Sequence, residues 1–167
     1  ESLGLNNEDA WLLERYYKDL VHAGAHLTEA QRDRLKELNE ELSKLETQFS
    51  KNVLADTNDL AVLVESVEEL DGLSDNEIAA AAAAAKDRGH DGKWLIGMVN
   101  FTGNPVLDSL TNRELRKKIM QASLLKANRP NDNDNKPVLL QMVKLRAERA
   151  KLFGKETHAE HVIAVQT

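Results

Sequence analysis

The stretch that most constrains this chain runs from Leu27 to Asp59, LTEAQRDRLKELNEELSKLETQFSKNVLADTND. Leu35, Leu38, Leu42, Leu45 and Phe49 recur at alternating steps of three and four, which places them on one stripe of an α-helix. Arg, Lys and Glu occupy the rest of the surface. Thr28 is a suitable N-cap, and Gln31 three residues later completes a capping box. Such a helix is about 46 Å long at roughly 1.5 Å per residue. Its apolar seam makes it a spine for other helices to pack on. The seam is expected to end at Phe49, because Asn52 holds the next seam position and Val53 is off register.

The preceding segment predicts a second helix that starts near Asn6 or Asn7. Glu8 and Asp9 sit in its first turn, where they favour the positive end of the helix dipole. Leu12, Tyr16 and Leu20 form one i, i+4 row, and Leu13, Tyr17 and Val21 another. Gly24 is a stop signal. The two helices are expected to form an antiparallel hairpin, with the first covering part of the spine's seam.

After Asn58 the pattern shortens. Leu60–Val64 and Lys93–Val99 read as two strands able to pair, with Gly97 marking a bulge or close approach. Val67–Leu70 is ambiguous between helix and strand. Ser74 and Glu77 make a second capping box ahead of seven consecutive alanines, Ala79 to Ala85. Asn104-Pro105 opens a short helical turn. Thr111 and Glu114 cap a helix to about Ala127, with Leu115, Ile119 and Ala122 inward. Turn formers fill 128–135. A helix follows over 135–153, with Leu139, Met142, Val143, Leu145 and Leu152 as its core, closed by Gly154. Thr157 and Glu160 cap a last helix that runs to Thr167. The expected fold is mainly α: a helical scaffold built on a long helix hairpin, with a small two-stranded β element.

The chain has 167 residues, enough to bury a core as one domain. Aromatic residues are 4% of it, so Leu, Ala and Val must fill that core. The net charge of -6 argues against non-specific nucleic-acid binding, which needs a basic surface. There is no cysteine, hence no disulfide framework or thiolate chemistry. No apolar run approaches the roughly 18 residues of a membrane span. The expected compartment is the cytoplasm, with the periplasm as the alternative. The chain opens on Glu1 and both ends read as interrupted, which predicts a fragment.

Four constellations bear on chemistry. His22 and His26 have the i, i+4 spacing of a zinc helix, but Ala23 stands where HExxH has its glutamate, and Gly24 ends the helix between them. His158 and His161 lie one turn apart, two imidazoles without a third ligand. Asp132-Asn-Asp134 begins like a calcium loop, but Lys136 and Pro137 occupy later ligand and turn positions. Arg146, Glu148 and Arg149 read as a solvated helix face. No phosphate loop or nucleophile elbow is present. These residues assign no catalytic, metal-binding or substrate-binding position.

Six phrases carry a resemblance: Leu54-Ala-Asp-Thr-Asn-Asp-Leu60, Leu70-Asp-Gly-Leu-Ser74, Gly92-Lys-Trp94, Thr111-Asn-Arg-Glu-Leu-Arg116, Asn128-Arg-Pro-Asn-Asp-Asn-Asp-Asn135 and Leu145-Arg-Ala-Glu-Arg-Ala-Lys-Leu-Phe-Gly154 with Thr157-His-Ala159. In order and separation they resemble the helical region of the thimet-oligopeptidase family of zinc metallopeptidases, its bacterial peptidyl-dipeptidase (dipeptidyl carboxypeptidase) branch above all. The resemblance implies a two-lobed helical enzyme with a deep channel. It implies a zinc held by an HExxH helix and a downstream glutamate, and removal of C-terminal dipeptides from oligopeptides. This sequence has no HExxH. The whole of 1–167 is therefore expected to be a single helical region of the non-catalytic lobe, upstream of the catalytic lobe. It would bind no zinc itself, would have that lobe as its partner, and would engage neither nucleic acid nor membrane. The alternative is a standalone helical interaction module that self-associates through the spine's seam.

Overall fold

In the computed structural model, residues 4–164 are described, with the backbone alone at 100–104. The elements in order are α1 (Asn7–His22), α2 (Glu29–Asp59), β1 (Val62–Val64), a 3₁₀ turn (Val67–Leu70), α3 (Asp75–Asp87), β2 (Trp94–Ile96), α4 (Asn100–Ser109), α5 (Arg113–Leu124), α6 (Asn135–Leu152) and α7 (His158–Ile163). The mainly helical architecture with a two-stranded sheet is as the sequence predicts. Residues 165–167, where the last helix was expected to continue, lie outside the described residues. The chain divides into two compact units, Glu1–Thr47 with Leu139–Thr167, and Gln48–Val138.

In the first unit the spine begins as expected. Gln31 Oε1 accepts from the Thr28 N–H at 3.0 Å, and Thr28 Oγ1 accepts from the Gln31 N–H at 3.3 Å. Leu38 and Leu42 are buried, and Leu42 is only 3% exposed. The helix against this part of α2 is α6. Arg34 pairs with Glu148 at 2.7 Å and Gln141 donates to Glu41 at 3.1 Å, so the two run antiparallel. Arg146 and Glu46 add a pair at 3.0 Å. These ion pairs are half exposed, worth about 1 kcal/mol each at most. The buried Met142, Leu145 and Ala150 of α6 supply the larger stabilisation. Leu139 and Val143, expected in that core, are exposed instead. They lie on another face of α6 from Met142 and Leu145.

The packing expected of α1 is corrected. Asn6 caps it, accepting from the Asp9 N–H at 2.8 Å, and Gly24 ends it with φ +103°. Yet none of its residues is buried. Trp11, Tyr16 and Leu20 are 65%, 61% and 60% exposed, so α1 does not cover the seam. Periodicity fixes which residues share a face and is silent on what that face meets.

In the second unit β1 and β2 pair antiparallel, with Val62 opposite Ile96 and Val64 opposite Trp94. The core gathers Val62, Val64, Leu70, Ile96, Met98, Leu110 and Ile119. The alanine helix α3 lies along β2, because its small side chains permit close approach. Its capping box is complete, with Ser74 and Glu77 bonding reciprocally. Gly72 has φ +94°, and a Cβ there would sit 2.1 Å from the Ser109 carbonyl oxygen. Only glycine fits this crossing.

Two local expectations shift. Helix α4 starts at Asn100, so Pro105 lies inside it, unable to donate to the carbonyl four residues earlier. The N-cap of α5 is Asn112, whose Oδ1 accepts from the Leu115 N–H at 3.1 Å. Thr111 is drawn away by Asp71, to which its hydroxyl donates at 2.6 Å. The apolar seam of α2 ends at Phe49 as expected, but burial of that face runs further. Asn52 and Asp56 continue the same spacing, and both are buried. The seam changes from apolar to polar.

Candidate functional site

Two polar clusters stand out, one in each unit. In the second unit Asp56 is fully buried on α2 and is the hub of a hydrogen-bond knot. Its carboxylate accepts from the Ala127 N–H at 2.8 Å, the Arg129 Nη2 at 2.6 Å, the Asn133 Nδ2 at 2.9 Å and the Asn131 Nδ2 at 3.5 Å. Arg129 also reaches Asp59 at 2.5 Å. Chiefly through the Arg129 guanidinium, with the amide donors adding to it, the Asp56 carboxyl is held down to about 2 against the cost of burial.

One turn earlier on α2, Asn52 donates to Asn135 at 2.9 Å, and Asn135 donates to the Phe49 carbonyl at 3.0 Å. Ala127 takes φ +51°, so that its N–H meets Asp56 while its carbonyl accepts from the Asn135 N–H at 2.9 Å. The phrases 54–60 and 128–135 are thus a single tertiary staple. Both carboxylate oxygens of Asp56 accept from donors of the chain, an arrangement that holds the 54–60 and 128–135 segments together.

The Asp132-Asn-Asp134 segment is the turn it resembled. Asp134 Oδ1 accepts from the Lys136 N–H at 3.0 Å, as a helix cap does, and Asn131 Oδ1 accepts from the Asn133 N–H at 3.1 Å.

In the first unit the two histidine pairs of the sequence are reshuffled. His26 faces Tyr17, its Nε2 lying 3.3 Å from the phenol oxygen. His22 turns away and stacks on His161, with ring centroids 4.1 Å apart and planes at 15°. Phe153 adds a third ring 4.6 Å from His161. His158 and His161 are 6.5 Å apart and tilted, not convergent. Thr157 caps α7 by accepting from the Glu160 N–H at 3.1 Å, but Glu160 returns to the Glu156 N–H at 3.0 Å, one residue before the cap expected of the Thr157–Glu160 spacing.

Burial first, then the charges of His22, Arg149, His158 and Lys155, push the His161 imidazole down to about 4. The His158 imidazole is lowered for similar reasons, by burial and then by Arg149 and Arg146. Beside this stack lies a cavity of about 320 Å³, lined by His22, Leu35, Asn39, Arg149, Phe153 and His161 among others.

Neither cluster fits a zinc ion. Among the described residues no three His, Cys, Asp or Glu side chains are grouped to hold a metal. The i, i+4 pair His22–His26 is parted by the turn at Gly24. Sequence reasoning missed the His22–His161 stack and the Asp56 knot. For Asp56 a signal existed: a carboxylate at a seam position must be buried, and a buried carboxylate must find donors.

Comparison with known proteins follows the same lines. Residues 106–167 match the signature of Peptidase family M3. Dipeptidyl carboxypeptidase of Escherichia coli (strain K12) is 37% identical over 166 residues, 99% of this chain and 24% of the relative. The enzyme of the same name from Salmonella typhimurium is 34% identical over 165 residues, again 99% of this chain and 24% of the relative. A probable cytosolic oligopeptidase A of Arabidopsis thaliana is 34% identical over 161 residues, 93% of this chain and 23% of the relative. The chain spans about a quarter of the length of these relatives. The likeness carried by the six phrases is therefore borne out over nearly the whole chain.

Proposed function

We propose that this chain, a relative of Peptidase family M3 by sequence, is scaffold and channel wall of a zinc-dependent peptidyl-dipeptidase that removes C-terminal dipeptides from oligopeptides. The chemistry of such an enzyme resides in a catalytic lobe, with zinc as the Lewis acid there. Residues 1–167 contribute shape and rigidity, and alone they are inert. The partners are that lobe and the oligopeptide substrate, and the proposed compartment is the cytoplasm, with the periplasm as alternative. Among the described residues no helix is long and apolar enough to cross a membrane.

The observation that carries this reading is the bare α1. Trp11, Leu12, Leu13, Tyr16, Tyr17 and Leu20 are all exposed on one short helix. A contiguous apolar surface of this kind is what a packing partner leaves behind when it is absent. The filled Asp56 knot supports the same reading, since it spends its polar groups on holding the chain together.

Two measurements test it. The purified 167 residues, supplied with zinc and short peptides, are expected to release no C-terminal dipeptide, and metal-dependent release overturns the proposal. The gene downstream of the Thr167 codon is expected to encode an HExxH helix, and a stop codon there refutes the reading.

The second reading, a standalone interaction module, is favoured by the same exposed α1 face. Its proposed surface must change, because Leu38 and Leu42 of the seam are already buried within the first unit. It predicts a defined oligomer at micromolar concentration by sedimentation, where the scaffold reading predicts a monomer.

A further inference from the structure

The cavity of the first unit has an excess of hydrogen-bond donors and of positive charge. Arg149 is always cationic. Its Nη1 donates to Asn39 Oδ1 at 3.2 Å, while its Nε is buried with no partner. His158 Nδ1, which does not line the cavity, is also buried and unpartnered. The carboxylates on neighbouring turns are committed elsewhere: Glu148 to Arg34, Glu46 to Arg146, Asp19 to Arg15 and Glu160 to Lys155. Arg146 repels Arg149 more strongly than Glu46 attracts it. None of the described residues lining the cavity is acidic. A half-buried guanidinium beside a like charge, with its Nε buried and unfilled, is a costly arrangement unless an anion completes it.

We propose that this cavity is a binding site for a small oxyanion, a carboxylate or a phosphate. The Arg149 guanidinium and the Asn39 side chain hold it, and His161, stacked on His22, takes up a proton as it enters. Guanidinium nitrogens match the paired oxygens of either anion. Leu35, Phe153 and Val162 give the other wall an apolar lining, suited to the alkyl part of a carboxylate.

The imidazole pair explains the coupling to protons. His161 stacks on His22 at 4.1 Å, and charging His161 beside Arg149 and Lys155 is unfavourable without a counter-ion. The charged and titratable groups that bear on His161 are His22 on α1, Arg149 on α6, His158 on α7 and Lys155 between those two helices. None supplies negative charge, so a bound anion is what permits protonation. The site stands whether or not the chain serves a peptidase.

The test is a titration of the 167-residue chain with sodium acetate and, separately, sodium phosphate at fixed ionic strength, followed through the imidazole ¹⁵N resonances. Saturable shifts of His22 and His161, with the His161 midpoint moving upward, are expected. Saturation by acetate assigns the site to carboxylates, and saturation by phosphate alone assigns it to phosphate. Arg149→Met is expected to weaken binding by about tenfold or more, with Arg149→Lys intermediate. Asn39→Ala, at an exposed position, weakens binding without threatening the fold. Linear, unsaturable shifts with both salts, or equal affinity in folded Arg149→Met and Asn39→Ala, overturn the proposal.

Discussion

Replacing Asp56 by alanine should be among the most damaging single changes in the second unit. The carboxylate is fully buried and takes four donors, Ala127 N–H, Arg129, Asn133 and Asn131. Its proton affinity falls from the ordinary 3.8 to about 2. By linkage that is worth about 2 kcal/mol at neutral pH. Because the folded value is the lower one, this part is fully present above about pH 4 and is lost as pH falls toward 2. Alanine also strands the Ala127 N–H and Asn133. Removing one partner of a buried pair costs roughly 3–5 kcal/mol. The low end applies here, because Arg129 keeps Asp59 at 2.5 Å and its side chain is 23% exposed.

The expected loss is therefore about 3 kcal/mol for Asp56→Ala, and less for Asp56→Asn, which keeps one acceptor. The two tryptophans give a clean assay. Trp94 lies on β2 in the second unit, and Trp11 on α1 in the first. In a Trp11→Phe background, fluorescence during urea unfolding reports the second unit alone. A double-mutant cycle with Arg129→Met should show strong coupling. A cost under about 1 kcal/mol, the worth of a surface pair, or additivity with Arg129→Met, would refute the knot as a stabilising hub.

Three further outcomes are expected. Leu42→Ala should cost roughly 2–5 kcal/mol by urea denaturation, since Leu42 is buried on the seam; a loss under 1 kcal/mol would count against that packing. Gly72→Ala should cost roughly 2 kcal/mol or more by thermal or urea unfolding, because its Cβ would strike the Ser109 carbonyl. Gly89→Ala, with φ +79° and open space around it, should cost about 1 kcal/mol, so equal effects at the two sites would rule out the contact. His161 is held down to about 4, below its unfolded value. Its stabilising contribution is thus complete above about pH 6.5 and is lost as pH falls toward 4, a drop of about 2–3 kcal/mol. The urea midpoint measured at pH 7.5 and pH 5 should show this loss, and His161→Phe should flatten it.

The helices were legible because their signals are local. Thr28 with Gln31 and Ser74 with Glu77 cap where their spacing says, and Leu115, Ile119 and Ala122 face inward as one row. The failures share one cause, a competitor from elsewhere in the chain. Thr111 did not cap α5 because Asp71 held its hydroxyl. The His22–His26 spacing did not become a pair because Gly24 ended the helix and His161 offered His22 a stacking partner. The two phrases 54–60 and 128–135 were visible as signatures, but nothing within either one says that it completes the other.

By itself, then, the sequence determined the elements, their caps, the inward rows and the likeness to a peptidase family, because helix period and turn chemistry act within a few residues. Tertiary structure alone decided three things. It set α6 against the first part of α2, left α1 bare, and turned the end of the seam into a buried carboxylate knot. A stripe of leucines specifies that a face will be buried, not by what. A carboxylate on that stripe can be buried only where distant donors converge, and those donors are separated from Asp56 by more than seventy residues of chain.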